Sequence, residues 1–297
     1  MVWRLAVVRA FRQIEQQIFT RRDLQTFLGV EQAKGTLPER TSLNQLLEVL
    51  KAEGELHDCE IPSVEVGGKQ NAGGPYNAFR RFVRHGASAF EVGLSLRLRS
   101  YLSHSSAMVL HGLSEATDPA SIYVNKEQSA KPASSGSLAQ SSIDRAFRNR
   151  PRISQYVFLY QGAQIVLLSG KNTGNLGVRE IPDATGTLYP STQVERTLVD
   201  ITVRPAYAGG VSSVLEAYRR AKGRVSIANL FHMLGRLGYV YPYHQAVGFY
   251  LRKAEYSDEA SRPLRDLGFS YDFYLAHQMS NPAYDPEWRI FYPSELR

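Results

Sequence analysis

The chain has few of the features that would place it in a specialised class of protein. Cys59 is the single cysteine among 297 residues, which excludes an internal disulfide and a zinc site built from several cysteines. No run of 18 apolar residues occurs, so the sequence offers no membrane span. The first residues carry charges every few positions, rather than a basic segment followed by an apolar core. We therefore expect no secretory signal and a cytoplasmic protein.

Motifs of common enzyme classes are also missing. The chain contains no G-x-S-x-G, H-E-x-x-H or Cys-x-x-Cys, and its glycine-containing stretch 169–175 lacks the first glycine and the Ser or Thr of a phosphate loop. We predict no catalytic residue, no cofactor and no metal site. One enzymatic alternative stays open, a magnesium-dependent nuclease that would use Glu180, Glu195 and Asp200, because two-metal sites need only clustered carboxylates.

What the chain does have is length, apolar content and positive charge. A length of 297 residues predicts two domains, and 43% hydrophobic residues are typical of a globular protein. The net charge of +7 is compatible with a nucleic-acid partner without being sufficient for one. Acids at 48–65 nearly balance the basic residues that follow, so a DNA contact must come from a polarised surface. The basic residues concentrate in two stretches, Lys69, Arg80, Arg81, Arg84, Arg97 and Arg99, and then Arg145, Arg148, Arg150 and Arg152.

The first 86 residues have the pattern of three helices followed by a β-hairpin. Apolar residues recur at steps of three and four through the first helix, and two capping boxes, Thr20 with Asp23 and Ser42 with Gln45, predict the starts of the second and third. Two extended arms then flank a glycine-rich tip. This order predicts a winged helix-turn-helix at 1–86, followed by a mixed α/β domain at 87–297, and hence an α+β protein.

In a winged helix-turn-helix the third helix enters the major groove of DNA, and its N-terminal exposed residues lie nearest the base edges. Asn and Gln can read adenine in bidentate fashion, while basic residues meet phosphates. A winged helix that contacts protein instead of DNA is the alternative. The predicted base-reading residues are Thr41, Asn44, Gln45 and Glu48, and the predicted phosphate-contacting residues are Lys51, Lys69, Arg80, Arg81 and Arg84.

The stretch 191–222 predicts two further capped helices joined by a tight turn. Thr192 with Glu195 and Ser213 with Glu216 both have capping-box spacing. The tail after residue 269 alternates between apolar and polar residues, which predicts strands that close onto the sheet of the second domain.

Arg196 and Asp200 lie four residues apart within the first of these helices, so they share one face. They could form an ion pair or present two charges to a partner. We favour the structural pair.

Several stretches of the chain resemble a known family. VERTLVD followed by RPAYAGG, together with the stretch 101–129, YLSHSSAMVLHGLSEATDPASIYVNKEQS, is similar to the recurring segments of the AbiEi family of abortive-infection antitoxins. The resemblance implies the DNA-binding half of a type IV toxin–antitoxin pair. Such a protein would repress its own operon by binding double-stranded DNA with inverted repeats, as a monomer or weak dimer. It would counteract a nucleotidyltransferase-like toxin without a stable complex. A plain transcriptional regulator with no toxin partner is the alternative.

Overall fold

The computed structural model describes residues 2–66, 78–115, 120–130 and 138–296. The chain divides into two compact units. Unit 1 comprises Met1–Leu98 and Gln155–Ile165, and unit 2 comprises Arg99–Ser154 and Val166–Arg297. Helices and sheets occur in both, so the predicted α+β class is confirmed. No helix within the described ranges is long and apolar enough to cross a membrane.

Unit 1 is built from three helices and a three-stranded antiparallel sheet, with a fourth helix after it. Strands β2 and β3 are the two predicted hairpin arms, and they pair from His57 opposite Val83 to Pro62 opposite Ala78. The sheet order is β1-β3-β2, and the glycine-rich tip lies outside the described residues. The elements are α1 (Val2–Arg12), β1 (Ile18–Phe19), α2 (Arg21–Ala33), α3 (Leu43–Ala52), β2 (His57–Pro62), β3 (Ala78–Val83) and α4 (Ala89–Ser95).

Local signals set the starts of α2 and α3. Both predicted capping boxes form. The side chain of Thr20 accepts a hydrogen bond from the backbone N–H of Asp23, and that of Ser42 accepts one from the backbone N–H of Gln45. Helix α2 runs through Gly29 and ends at Ala33. A glycine inside a helix is unfavourable by about 1 kcal/mol relative to alanine, which is too little to stop a helix that packs well.

Unit 1 extends beyond the predicted boundary at residue 86. A capping box of Ser88 and Glu91 starts α4, a signal that the sequence carried and that was missed. The distant segment Gln155–Ile165 also belongs to this unit, where Phe158 forms a β-bridge with Ser63 and packs its ring against Phe79. A fragment cut near residue 90 would therefore interrupt α4 and lack part of its own unit.

The remaining elements belong to unit 2, apart from those within residues 155–165, which belong to unit 1. In chain order the elements are β4 (Tyr101–Leu102), α5 (Ser105–Leu110), β5 (Ser121–Glu127), α6 (Gln140–Arg148), β6 (Val157–Tyr160), β7 (Ala163–Gly170), β8 (Val178–Pro182), β9 (Leu188–Thr192), α7 (Val194–Val203), α8 (Val211–Ala221), α9 (Ile227–Leu237), α10 (Tyr243–Lys253), α11 (Asp258–Arg265), β10 (Phe273–Tyr274), β11 (Ala283–Asp285) and β12 (Ile290–Tyr292).

The larger sheet of the described chain has the strand order β6-β7-β5-β4-β9-β8. The strands of the tail do not join it, contrary to the prediction. They form a separate sheet in the order β10-β12-β11, in which β10 runs parallel to β12 and β11 antiparallel to it. Trp288, in the turn before β12, is fully buried and lies so close to Gly248 of α10 that a Cβ there would clash with its ring. The tail sheet therefore packs on α10 rather than extending the larger sheet.

Helices α7 and α8 form where predicted but start differently. Thr192 is the last residue of β9, where its hydroxyl bonds that of Thr197, and α7 begins after Gln193 with no side-chain cap. Likewise α8 begins after Gly210, and Ser213 lies within its first turn. The predicted capping boxes are therefore wrong here, although both helices are present. Thr192 is part of strand β9 and so does not cap α7. Gly210 has a positive φ (101°), which favours glycine, and the chain turns there into α8.

Candidate nucleic-acid interface

The N-terminal half of α3 presents a polar face to solvent. Asn44, Gln45 and Glu48 are exposed, as predicted, whereas Leu46, Leu47 and Leu50 face the core of unit 1. Thr41 was predicted to be exposed and is instead buried, with 8% of its surface accessible. Its carbonyl accepts a hydrogen bond from the Gln32 side chain at 3.0 Å, so Thr41 joins α2 to the start of α3. Thr41 therefore does not belong to the exposed face of α3, which consists of Asn44, Gln45 and Glu48 and is called the reading face below.

The two amide residues of this face are not equivalent. The Oε1 atom of Gln45 accepts from the backbone N–H of Ser42 at 2.8 Å, as part of the capping box. Its carbonyl is thus committed to the helix start, and only its amide nitrogen remains to donate. Asn44 has no such role: its Oδ1 accepts one hydrogen bond, from the Arg21 guanidinium at 3.3 Å, and keeps a second lone pair, whereas the Oε1 of Gln45 also accepts from the Ser42 hydroxyl at 3.2 Å. Asn44 is therefore the residue on this face best placed for a bidentate contact to adenine.

Three arginines outside the predicted set lie at the starts of α2 and α3. Arg21 and Arg22 open α2, Arg40 precedes α3, and all three are exposed. No carboxylate in the described part of the chain forms an ion pair with any of them. The contact between Arg21 and Asn44 brings the start of α2 to the reading face of α3. The signal was in the sequence, since both capping boxes predicted where these helices begin, and basic residues stand beside both starts.

The exposed face of the β2–β3 hairpin carries nearly balanced charge. Lys51 of α3 forms an ion pair with Asp58 and lies 5.4 Å from the ring centroid of Phe82. Arg80 is exposed directly opposite Glu60 across the strand pair, and opposite charges in that position attract. Both cations remain on the surface, as predicted, but each has an acid beside it. This face therefore supplies less free positive charge than the arginines beside α3.

Arg81 and Arg84 are half-buried and bond backbone carbonyls of unit 1, which disfavours the predicted contacts with phosphates. The Arg81 guanidinium donates to the Ser95 carbonyl at 2.8 Å, and the Arg84 guanidinium to the Phe11 carbonyl at 2.6 Å. Both groups also lie over phenylalanine rings, Arg84 at 4.6 Å from the centroid of Phe11. Burial lowers the pKa of both arginines. These side chains hold α1 and α4 to the sheet rather than facing solvent. Lys69 lies outside the described residues.

Unit 2 contains a buried ion pair in the stretch singled out from the sequence. Arg196 and Asp200 are 4% and 6% exposed, and Nε of Arg196 donates to Oδ1 of Asp200 at 2.8 Å. The predicted pair is therefore confirmed. Burial raises the pKa of the Asp200 carboxyl even beside this arginine, and its second oxygen has no hydrogen-bond partner among the described residues.

The pair is linked to neighbouring loops of unit 2. The Arg196 guanidinium also donates to the Leu176 carbonyl at 2.7 Å and approaches the Thr173 hydroxyl at 3.4 Å. The backbone amide of Thr173 in turn donates to the Glu127 carboxylate at 2.7 Å. At Gly177 an added Cβ would lie 2.9 Å from that of Arg196. These contacts fix the segment before β8 onto α7, which is a scaffold function.

The carboxylates of the nuclease alternative serve separate roles. Glu195 accepts from the backbone N–H of Ser226 at 2.9 Å and so helps start α9, Asp200 is paired with Arg196, and Glu180 is an exposed residue of β8. Within the residues that the structure describes, no three His, Cys, Asp or Glu side chains lie together in a way that could hold a metal ion.

Comparisons with known proteins give a fold-level neighbour. No model of a known protein family matches the chain, and no curated protein matches it. Among solved structures, it is similar to the crystal structure of the RV2827C protein from Mycobacterium tuberculosis, with 14% sequence identity and a TM-score of 0.58. The alignment covers 98% of this chain and 92% of that one. At this identity the likeness shows a common fold alone.

Proposed function

We propose that unit 1 is a winged helix-turn-helix and that the protein is a DNA-binding transcriptional repressor. The support is the element order α1-β1-α2-α3-β2-β3 with the sheet order β1-β3-β2, in which α2 and α3 form the helix pair and β2 with β3 the wing. In this arrangement α3 is the recognition helix. Its exposed Asn44 reads a base edge, and the residues around it contact phosphates.

One observation carries the proposal, namely the contact of Arg21, at the start of α2, with Asn44 on the exposed face of α3, with the exposed Arg22 and Arg40 next to the two helix starts in the chain. Phosphate contacts fix the register of a protein on the duplex, and base contacts made from within that frame give specificity. A recognition helix whose own exposed face is polar, and whose rim is positive, fits both needs. A winged helix that contacts protein instead would have no requirement for this unpaired positive rim.

Asn44→Ala is expected to weaken binding to the operator by about 1–3 kcal/mol while leaving binding to random duplex nearly unchanged. The reason is that a bidentate amide contact to adenine contributes to sequence discrimination only. The measurement is a titration of the full chain with the duplex upstream of its own gene and with a shuffled duplex. Gln25→Ala is the matched control, because Gln25 is an exposed amide residue on α2, and it should change neither affinity. Equal losses on both duplexes would contradict base reading by Asn44.

We further propose that the protein is the antitoxin of a type IV toxin–antitoxin system. The support is the resemblance of VERTLVD, RPAYAGG and 101–129 to the AbiEi family, and all of these segments lie in unit 2. In this proposal the protein is cytoplasmic and not an enzyme. It represses its operon through inverted repeats as a monomer or weak dimer, and it counteracts a nucleotidyltransferase-like toxin without a stable complex.

Rescue from the toxin is expected to depend on unit 2 and not on the reading face of unit 1. Because a fragment ending near residue 90 cuts unit 1, the test uses full-length variants. Cells that express a neighbouring nucleotidyltransferase-like gene should survive with the wild type and with Asn44→Ala alike, whereas a reporter on the upstream DNA should be repressed only by the wild type. If no such neighbouring gene exists, or if the wild type gives no rescue, a plain regulator is the better account.

A further inference from the structure

A pocket of about 410 Å³ lies in unit 2 between the end of α9, the start of α10 and the chain after α11. Its volume falls in the range of roughly 300–1,000 Å³ that is usual for small-molecule sites. Four of its lining side chains are aromatic, namely Phe231, Tyr239, Tyr241 and Tyr243. The three tyrosines are each half-buried, and Phe231 is 37% exposed. Aromatic walls of this kind suit a planar ring, which they can contact by stacking or edge to face.

The lining carries positive but no negative charge. Arg236 and His232 are exposed at this pocket, no acidic residue lines it, and no described carboxylate forms an ion pair with Arg236. His244 also lines the pocket, where its Nε2 bonds the Gly268 carbonyl at 3.0 Å and burial lowers its pKa. A neutral ring donating from Nε2 keeps a lone pair on Nδ1. The pocket thus combines one permanent cation with aromatic surface, and it selects against a cationic ligand.

The tyrosine hydroxyls are available for hydrogen bonding. Those of Tyr239, Tyr241 and Tyr243 form no hydrogen bond to any residue that the structure describes, although burial raises the pKa of Tyr239 and raises that of Tyr243 to about 12. A protonated phenol hydroxyl can donate as well as accept. A ligand that carries several acceptors and donors around a ring can use these hydroxyls.

Gly235 leaves room in the wall of this pocket. It lies inside α9, where a glycine is less favourable than alanine, and an added Cβ would meet no atom within 4 Å. No left-handed backbone requires a glycine here, because Gly235 has helical geometry and its φ is not positive. Replacing Gly235 by a residue with a side chain would therefore favour the helix. The absence of a side chain at this position leaves the pocket open.

We propose that this pocket binds a mononucleotide, with the base against the wall that Tyr239, Tyr241 and Tyr243 form and the phosphate at Arg236. The planar heterocycle matches the aromatic walls, its ring nitrogens and exocyclic groups match the phenol hydroxyls, and the dianionic phosphate matches the one unpaired guanidinium. The site belongs to unit 2 and does not rest on DNA binding by unit 1.

The test is calorimetric titration of the full chain with AMP, GMP, CMP and UMP. The same titrations with the matching nucleoside, with inorganic phosphate and with a single-stranded oligonucleotide separate the sources of this chemistry. We expect at least one mononucleotide to bind, and its nucleoside and inorganic phosphate each to bind at least about tenfold more weakly, because each lacks half of the contacts. Arg236→Ala should weaken the nucleotide by about tenfold and leave the nucleoside unchanged.

Gly235→Leu should fill the pocket and abolish nucleotide binding while preserving or raising the melting temperature, because leucine favours a helix. Gly29→Leu makes the same change in α2, where an added Cβ also meets open space, and should leave nucleotide binding intact. Three results would overturn the proposal. They are no binding of any mononucleotide at millimolar concentration, equal binding by wild type and by both Gly235→Leu and Arg236→Ala, and binding of the oligonucleotide or inorganic phosphate alone.

Discussion

Arg196→Ala is expected to lower the free energy of unfolding by about 3–5 kcal/mol, because it leaves the Asp200 carboxylate buried and unpaired. Asp200 is 6% exposed, and its second oxygen already lacks a partner among the described residues. The substitution also takes a donor from the Leu176 carbonyl, which would loosen the segment before β8. The measurement is the melting transition of unit 2 in the full chain, followed by calorimetry.

A double variant separates the cost of an unpaired charge from the value of the pair itself. Arg196→Met with Asp200→Leu removes both charges and fills similar space, so it should be more stable than Arg196→Met alone. The matched control is Arg220→Ala, which breaks the pair with Glu216 at the same spacing in α8 and a second pair with the exposed Glu115. Arg220 and Glu216 are about a third exposed, so the loss should stay below about 1 kcal/mol. Normal melting of Arg196→Ala together with lost rescue would show that Arg196 acts on a partner instead of holding the fold.

The second large effect concerns salt. Replacing Arg21, Arg22 and Arg40 by alanine is expected to flatten the plot of log affinity against log salt by about two to three units, since each phosphate contact contributes roughly 0.9. Operator and random duplexes should lose affinity together, because phosphates carry no sequence information. The measurement is the binding constant of the full chain at several salt concentrations.

Two further triple variants serve as controls for this result. Arg179, Lys222 and Arg262 are exposed cations of unit 2, and replacing all three by alanine removes the same total charge. That variant should keep the slope of the wild type. Arg80→Ala combined with Arg81→Ala and Arg84→Ala should change the slope by no more than about one unit, because Arg80 is exposed and the other two are half-buried. If the unit 2 variant flattened the salt dependence as much as the Arg21, Arg22 and Arg40 variant does, the proposed DNA contact at the starts of α2 and α3 would be wrong.

The sequence predicted those parts of the fold that depend on neighbours along the chain. The Thr20 and Ser42 capping boxes both form, because an N-cap and its third following residue meet in any helix that starts there. The same spacing gave a wrong prediction at Thr192, because β9 extends to that residue and its hydroxyl forms a hydrogen bond with the hydroxyl of Thr197. Local spacing predicts a helix start only where no sheet competes for the same residues.

The candidate site was predictable in outline but not in its cations. That arginines concentrate between residues 66 and 99 is visible in the sequence, but which face of β3 each occupies depends on the pairing with β2. Arg81 and Arg84 turn out to bond backbone carbonyls of α4 and α1, contacts across long sequence separations that no pattern reveals. Arg21 and Arg40 are far apart in sequence, and only the packing of α2 against α3 brings the two starts to one face. The same holds for the pocket around Gly235, which depends on how α9, α10 and α11 pack.

The central claim is that unit 1 reads a DNA sequence through α3. The most direct measurement is the ratio of affinities of the unmodified full chain for the duplex upstream of its own gene and for a shuffled duplex of equal length, at one physiological salt concentration. We expect a ratio of at least about 10³, as sequence-specific DNA-binding proteins show. A ratio near one would contradict it, and would leave the positive rim of α3 as a surface without sequence preference.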